Sequence, residues 1–592
     1  MKRRKAAPAA QQPATVVTMP QVAAQSPLRS ALVLGPAAAL LVGALDHIWV
    51  TEDAFITFKS VENLWHGKGP NFNAGLRVES FSHPLWFLIL SVLRVAGSAA
   101  LPLLAAVAGI LLSVLGLVAA TRAASLRLER LSRLAPLGAL LVVALPPFWD
   151  FASSGMETGL AFAWIGAVSL LLTLVARDHQ PTRVAALFWL LGLGPLIRPD
   201  FALPTLPLLA LALLLSRSAD EGVLPSAARV LQALLPSAAW QLFRMGYYGL
   251  TVPNTFLAKE GFMSRWGQGF VYLNDLYLMY WLYPVVALLL ALSALSCIAS
   301  AKRCVDRTES FAAWAIPMAL TLAGLLHSLA VIRTGGDFMH ARLLLPGLFF
   351  FASASAVVSL PGQAALRWLT ITACSVWAFG SAVCIRPPYR YSISSNGIAD
   401  ERAWYAHRAQ AVRPVTLNDY RYHSYFRIGE ETSRMARSQN FKAVYWAHIG
   451  IAVAALSEDI VVIDPLGLND HISSHIELTE RGRPGHEKIA RAAWFFARYP
   501  AGVGMVVRNQ LDDVFRKPET PEAIAAARAV LSSPQLAELT EAVSAPLTWD
   551  LFWRNVRRAQ RLTGLRIPAD PEQALQLFGS AATPDSPAKG TP

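Results

Sequence analysis

The sequence predicts a polytopic α-helical membrane protein with a C-terminal extracytoplasmic α/β domain, and two observations predict it. Of 592 residues, 54% are hydrophobic and 15% charged, with a mean hydropathy of +0.40. A soluble chain carries nearer ~25% charged residues. The apolar residues are also gathered into about eleven runs, each close to the ~20 residues that cross a bilayer as a helix.

Residues 1–29 open with Lys2, Arg3, Arg4 and Lys5 and continue through Ala, Pro and Gln, the composition of a disordered cytoplasmic tail. The transmembrane domain then covers 30–385. Its spans fall at about 30–50, 100–121, 134–149, 158–176, 184–198, 201–216, 230–247, 279–299, 311–332, 341–359 and 366–385. The first is too long for a signal-peptide core and lacks a convincing cleavage site, so it stays in the protein. The short run from Pro84 to Val95 is read as a helix lying at the outer interface. That reading keeps Arg122, Arg127, Arg130 and Arg133 inside, whereas a twelfth span would turn them out. The other inside loops then hold Arg177 and Arg183, Arg217 and Arg229, Lys302, Arg303 and Arg307, and Arg367. This parity predicts a multi-pass protein of the bacterial inner membrane, its N-terminus cytoplasmic and everything after Cys384 outside.

The outside segment divides into an α/β domain, 386–567, and a flexible tail, 568–592, rich in Pro, Ala and Ser. Ala443–Trp446 and Ile460–Ile463 read as strands, and amphipathic helices are expected near 486–498 and 520–543. A structural cap and an acceptor-binding unit are equally good readings of this domain.

The formal net charge of +13 does not indicate nucleic acid. The Lys and Arg residues lie in short clusters between apolar runs, without a domain-sized basic face. Cys297, Cys304, Cys374 and Cys384 lie in or beside apolar spans. Their spacing suits neither a disulfide framework nor a zinc site.

Candidate chemistry collects at the outer ends of the spans. Glu52 and Asp53 stand at the mouth of the first span, followed by a long polar loop. Carboxylates beside lipid have raised pKa values and serve well as bases. Other outer turns carry Asp150, Glu157, Arg198 with Asp200, and Arg333 with Asp337. The loop after the seventh run carries Tyr247, Tyr248, Asn254 and Lys259. Singly, each reads as a cap, a solvated turn or an interfacial aromatic. Jointly they suggest a polar cavity opening outward, where arginine suits a phosphate through its planar fork. The carboxylates leave a divalent metal open, and no cofactor is required.

Several segments then resemble a known family. Glu52-Asp53-Ala54-Phe55-Ile56-Thr57-Phe58, Asn71-Phe72-Asn73-Ala74-Gly75, Arg77-Val78-Glu79 and His83-Pro84-Leu85-Trp86 resemble the opening of GT-C glycosyltransferases. More narrowly, they resemble the mycobacterial terminal β-(1→2)-arabinofuranosyltransferase group. Ser154-Gly155-Met156-Glu157-Thr158, Pro253-Asn254-Thr255-Phe256 with Lys259, and Gly335-Gly336-Asp337-Phe338-Met339 fit the same pattern. So do Asp464-Pro465-Leu466-Gly467-Leu468-Asn469-Asp470 and Arg483-Pro484-Gly485-His486-Glu487-Lys488.

The resemblance implies a GT-C-like fold, a polyprenyl-phosphate sugar donor and an inverting transfer to a cell-envelope polysaccharide, with arabinofuranose the foremost sugar. It implies an Asp base in the first outer loop, and Asp53 occupies that position. The expected substrate-binding residues are Glu52, Arg77, Glu79, His83, Glu157, Arg198, Asn254, Lys259, Arg333, Asp337 and Arg342. Two other classes compete. A lipid-linked sugar transporter or flippase would place ionisable residues near the midplane and show an internal repeat. A non-catalytic envelope assembly protein would bind envelope polymer through its outer domain.

Overall fold

A computed structural model describes residues 27–217, 223–439, 442–456, 460–499, 503–504 and 519–579. Most of the expected N-terminal tail therefore lies outside the described residues. Of the expected C-terminal tail, Pro571–Gly579 forms a helix that buries Ala574 and Phe578; residues 580–592 lie outside.

Five helices are long and apolar enough to cross a membrane: Leu101–Arg127, Thr158–Arg177, Pro199–Ser216, Leu282–Ala301 and Arg307–Thr334. Shorter apolar helices cover Ser30–Asp46, Pro84–Ala96, Pro181–Ile197 and Arg342–Ala354. Full-length helices thus do not reach the expected eleven among the described residues. The expected span at 134–149 shows one cause, being broken into Leu137–Ala144 and Pro146–Ala152. Pro146 forces the preceding residue out of the helical region, and Leu145 is extended, with φ −105° and ψ 113°.

Two of the long helices meet at very short range. A Cβ on Gly159 would lie 2.2 Å from the Gly109 carbonyl oxygen, and one on Gly166 would lie 2.1 Å from that of Gly116. Glycine at both levels lets the backbones of Leu101–Arg127 and Thr158–Arg177 touch, the usual route to tight packing where lipid offers no hydrophobic drive. This pair, with the helix Leu345–Ala354 against it, forms the core under the candidate site.

The C-terminal part holds a three-stranded parallel sheet in the order Val461–Ile463, Ala443–Tyr445, Val503–Gly504. Helix Ala493–Arg498 is shorter than the expected 486–498. The expected helix over 520–543 is two, Pro521–Leu531 and Pro534–Ser544, with a proline opening the second.

The segment between the first two apolar helices threads into this part. Asn73 bonds the backbone of Val462 on both sides, donating to its carbonyl at 2.7 Å and accepting from its amide at 3.0 Å. The Arg77 guanidinium donates to the carbonyls of Ala545 and Ala542, at the end of helix Pro534–Ser544. Tyr420 donates its hydroxyl to the Val50 carbonyl, and the Val50 amide donates to the Pro414 carbonyl at 2.9 Å.

Candidate active site

Helix Glu52–Trp65 begins with two acidic residues in its first turn. Adjacent helical residues point about 100° apart, and here they serve different neighbours. Glu52 is buried and accepts the Gly450 amide at 2.7 Å. Gly450 has to be glycine for this, since a Cβ there would meet the Glu52 carbonyl oxygen at 2.1 Å. Burial, then the charge of Asp53, pushes the Glu52 carboxyl up to about 8.

Asp53 turns instead towards a cluster of charges drawn from distant parts of the chain. Its Oδ2 lies 3.8 Å from Arg342 Nη1, an ion pair without hydrogen-bond contact. The same guanidinium lies 3.3 Å from Asp337 and 3.6 Å from Glu157. Glu157 also accepts from Arg198 at 2.8 Å, and Arg198 pairs with Asp200 at 3.0 Å. His83 completes the group, with Nδ1 3.4 Å from Glu157 and Nε2 3.0 Å from the Thr57 hydroxyl.

Among the described residues no donor hydrogen-bonds to Asp53, although other carboxylates of the cluster are occupied. Burial pushes its carboxyl above the usual range, and Lys259 and Arg342 pull it back. The Lys259 ammonium makes no hydrogen bond or ion pair among the described residues, and only its backbone amide donates, to Thr255. Burial also acts on Glu157, but His83, Arg342 and Arg198 hold that carboxyl down at about 2. His83 contributes most of this, since its imidazole, pulled down to about 4 by burial, is charged at the lower pH where Glu157 takes up its proton. The cluster therefore contains one open carboxylate and one uncommitted ammonium.

A hairpin-like loop presents Asp337 and Arg342. Gly335 and Gly336 have φ of 95° and 76°, a region that only glycine enters freely. A Cβ on Gly336 would also strike the Tyr272 ring at 2.3 Å. The Tyr272 hydroxyl donates to the Met339 carbonyl at 2.8 Å and accepts the Leu343 amide at 3.1 Å, spanning the loop.

Of the residues expected to bind substrate, the structure gathers His83, Glu157, Arg198, Asp337 and Arg342 around Asp53, with Lys259 acting on its charge. It places five others elsewhere. Glu52 holds Gly450 and Arg77 holds the carbonyls near Ala545. Glu79 pairs with Arg244 at 2.6 Å. Asn254 bonds the Gly467 carbonyl and the Ser474 hydroxyl. Arg333 reaches the Phe262 carbonyl at an exposed position, because its helix ends one residue later and turns the side chain away.

Two residues of the neighbourhood gave no signal in the sequence. His327 sits fully buried in Arg307–Thr334, 3.3 Å from Asp200, and a lone histidine in an apolar helix is indistinguishable from a packing residue. Glu401 is buried at the start of helix Glu401–Ala409, where Asp53 and Asp337 act on its charge; the run Asp400-Glu401-Arg402 soon after the last span was its only trace. Among the described residues no three His, Cys, Asp or Glu side chains stand close enough to hold a metal ion.

Comparison with known proteins adds to this geometry. Residues 398–576 match the model of the AftB family C-terminal domain. The chain is 30% identical over 630 aligned positions to a terminal β-(1→2)-arabinofuranosyltransferase of Mycobacterium tuberculosis, covering 92% of this chain and 96% of that protein. It is 29% identical to a protein of the same description from Corynebacterium glutamicum, covering 90% and 85%. Among solved structures, ArnT from Cupriavidus metallidurans bound to undecaprenyl phosphate aligns with a TM-score of 0.40 and 14% identity, over 76% of this chain and 78% of that one.

Proposed function

We propose, from the premise that the chain belongs to the terminal β-(1→2)-arabinofuranosyltransferase family and is a multi-pass membrane glycosyltransferase, a transfer from a polyprenyl-phosphate sugar to an envelope glycan. The sugar is arabinofuranose and the transfer inverts the anomeric carbon. It takes place on the outer face of the membrane, with the N-terminus cytoplasmic and the C-terminal part outside.

The observation that carries this reading is an open carboxylate, Asp53, on whose charge an uncommitted cation, Lys259, and the fixed guanidinium of Arg342 act. The donor phosphate lies against Lys259 and Arg342, which balance its charge. An acceptor hydroxyl approaches the anomeric carbon from the opposite face. Its oxygen forms the new C–O bond as the bond from the anomeric carbon to the phosphate oxygen breaks, and the phosphate leaves with that electron pair. The hydroxyl proton passes to Asp53. A phosphate is a competent leaving group, so no covalent enzyme intermediate is needed. Glu157 and Asp337 fix Arg342, and Arg198 and His83 fix Glu157. Such support holds a charged group where charge develops in the transition state.

The decisive test replaces Asp53 by Asn, which keeps its size but cannot take a proton. The variant should fold and still bind lipid donor, while transfer falls by ~10² or more, the usual scale for a general base. Near-full activity would remove Asp53 from the mechanism.

A further inference from the structure

Lys259, the cation assigned above to the donor phosphate, caps a helix of five residues, Asn254–Ala258. A helix this short has little stability of its own. The C-terminal part grips it on both sides of Lys259. At its start, the buried Asn254 side chain donates to the Gly467 carbonyl at 2.6 Å and accepts the Ser474 hydroxyl at 2.7 Å. Just past its end, Glu260 pairs with Lys488, carboxylate to ammonium at 2.6 Å.

The two grips close into one ring. Lys488 also donates to the carbonyls of Ser474 and Ile476, at 2.8 and 2.7 Å. Ser474 thus takes Lys488 on its carbonyl and gives its hydroxyl to Asn254. Lys488 has all its donors used, and both members of the ion pair are buried, at 4% and 7% exposure. A buried ion pair seldom gives more stability than apolar side chains of the same volume. What this one supplies is direction.

The backbone shows where that direction is needed. Glu260 has a φ of 50°, a left-handed conformation that a residue with a Cβ holds only under constraint. It follows Lys259 directly and turns the chain back, so that the Gly261 amide donates to the Phe256 carbonyl at 2.9 Å. A Cβ on Gly261 would strike the Phe256 ring, so the turn is closed tightly. Lys259 therefore stands on a turn whose strained residue is tied by its own side chain to Lys488. The Lys259 ammonium acts on Asp53 through its charge, without a hydrogen bond or ion pair of its own among the described residues.

We infer that Glu260 and Lys488 are positioning residues, holding Lys259 where it meets the donor phosphate. The inference rests on the donor-phosphate reading of Lys259 for its effect on transfer.

The test is a double-mutant cycle on the full-length protein in lipid nanodiscs, with KM for donor and for acceptor as readouts. Glu260→Ala should raise donor KM at least ~10-fold, the scale of a charged group displaced by about 1 Å, and leave acceptor KM unchanged. Lys488→Met should match it; where thermal unfolding shows that variant to be misfolded, Glu260→Ala decides. Glu260→Gln can still accept from Lys488 and should recover donor KM to within ~5-fold, about the worth of one neutral hydrogen bond. Placed in the Lys259→Met background, Glu260→Ala should add nothing further, since both act through one group. An equal rise with and without Lys259 overturns the inference, because the ion pair would then serve the fold at large. So does a donor KM indifferent to Glu260→Ala.

A second readout is independent of transfer. Reductive methylation with isotope-labelled formaldehyde gives Lys259 an NMR resonance, identified by its loss in Lys259→Met. In Glu260→Ala it should move to the position of a freely solvated lysine, and a resonance that stays put overturns the inference. Should Lys259→Met leave donor KM unchanged, the phosphate role of Lys259 fails while the resonance still decides the tether.

Discussion

Lys259 and Arg342 act on the charge of Asp53, which no hydrogen bond occupies among the described residues. This makes the acid limb of the rate profile a direct report on Asp53 and Lys259. The proposed reaction needs Asp53 ionised, so its rate should fall as pH drops through the Asp53 pKa, which burial has raised. Lys259 opposes that rise. Lys259→Met should therefore move the acid limb of log kcat to higher pH, besides raising KM for the lipid donor. A limb that stays put, read from initial rates across pH 4–9 (roughly the span in which a raised carboxyl titrates), would separate the two residues. Arg333→Gln should leave donor KM unchanged, because its guanidinium bonds an exposed carbonyl of Phe262. The sequence could not distinguish Arg333 from Arg342: both lie in outer turns beside glycines or carboxylates. Their difference comes from where one helix ends and the next turn starts, which has no local residue code.

At the level of elements, the 335–343 loop sets the position of Arg342, and Tyr272 holds it across both limbs. Gly336→Ala adds a methyl where the Tyr272 ring already lies and asks alanine to adopt a φ of 76°. Transfer should drop at least ~10-fold, the effect expected when a charged group shifts by about 1 Å. Tyr272→Phe should act through the same loop and lose less, since each neutral hydrogen bond is worth about 1 kcal/mol. Initial rates on detergent-purified protein, with thermal unfolding alongside, separate displaced chemistry from lost fold. Elements with strong periodicity, such as Leu101–Arg127 and Thr158–Arg177, were readable from the sequence because a bilayer imposes length and apolarity together. Helix ends at Leu145 and Ser533 depended on Pro146-Pro147 and on Pro534 within otherwise unbroken patterns, and these were read through.

For the whole molecule, the threading of residues 50–77 into the C-terminal part favours the structural-cap reading of that part. Asn73, Arg77, Glu52 and Val50 all take partners from beyond residue 413. A shortened protein lacking 390–592 strips these groups of those partners, at about 1–3 kcal/mol for each buried group left unsatisfied. Transfer to long and to short synthetic acceptors should then fall alike. A selective loss on long acceptors would instead mean that the C-terminal part acts mainly in holding the polymer. Motif residues such as Asn71, Asn73 and Arg77 were legible as important, but their task was not. A sequence shows that a polar residue is out of place, whereas its partner several hundred positions away emerges only from the fold.

That separation has a consequence for biogenesis. Arg77 is bound to a carbonyl 465 residues further along the chain, so a segment made early waits through most of synthesis before its partner exists. Contacts of such long range form late and slowly. Helix Glu52–Trp65 leaves the ribosome long before Gly450 arrives to cover Glu52, and the helix that carries Asp53 gains this anchor only when the C-terminal part docks. The nascent chain is thus a membrane-inserted protein whose Asp53 helix is not yet anchored, and transfer activity in a pulse-labelled population should lag behind membrane insertion by the time that docking takes.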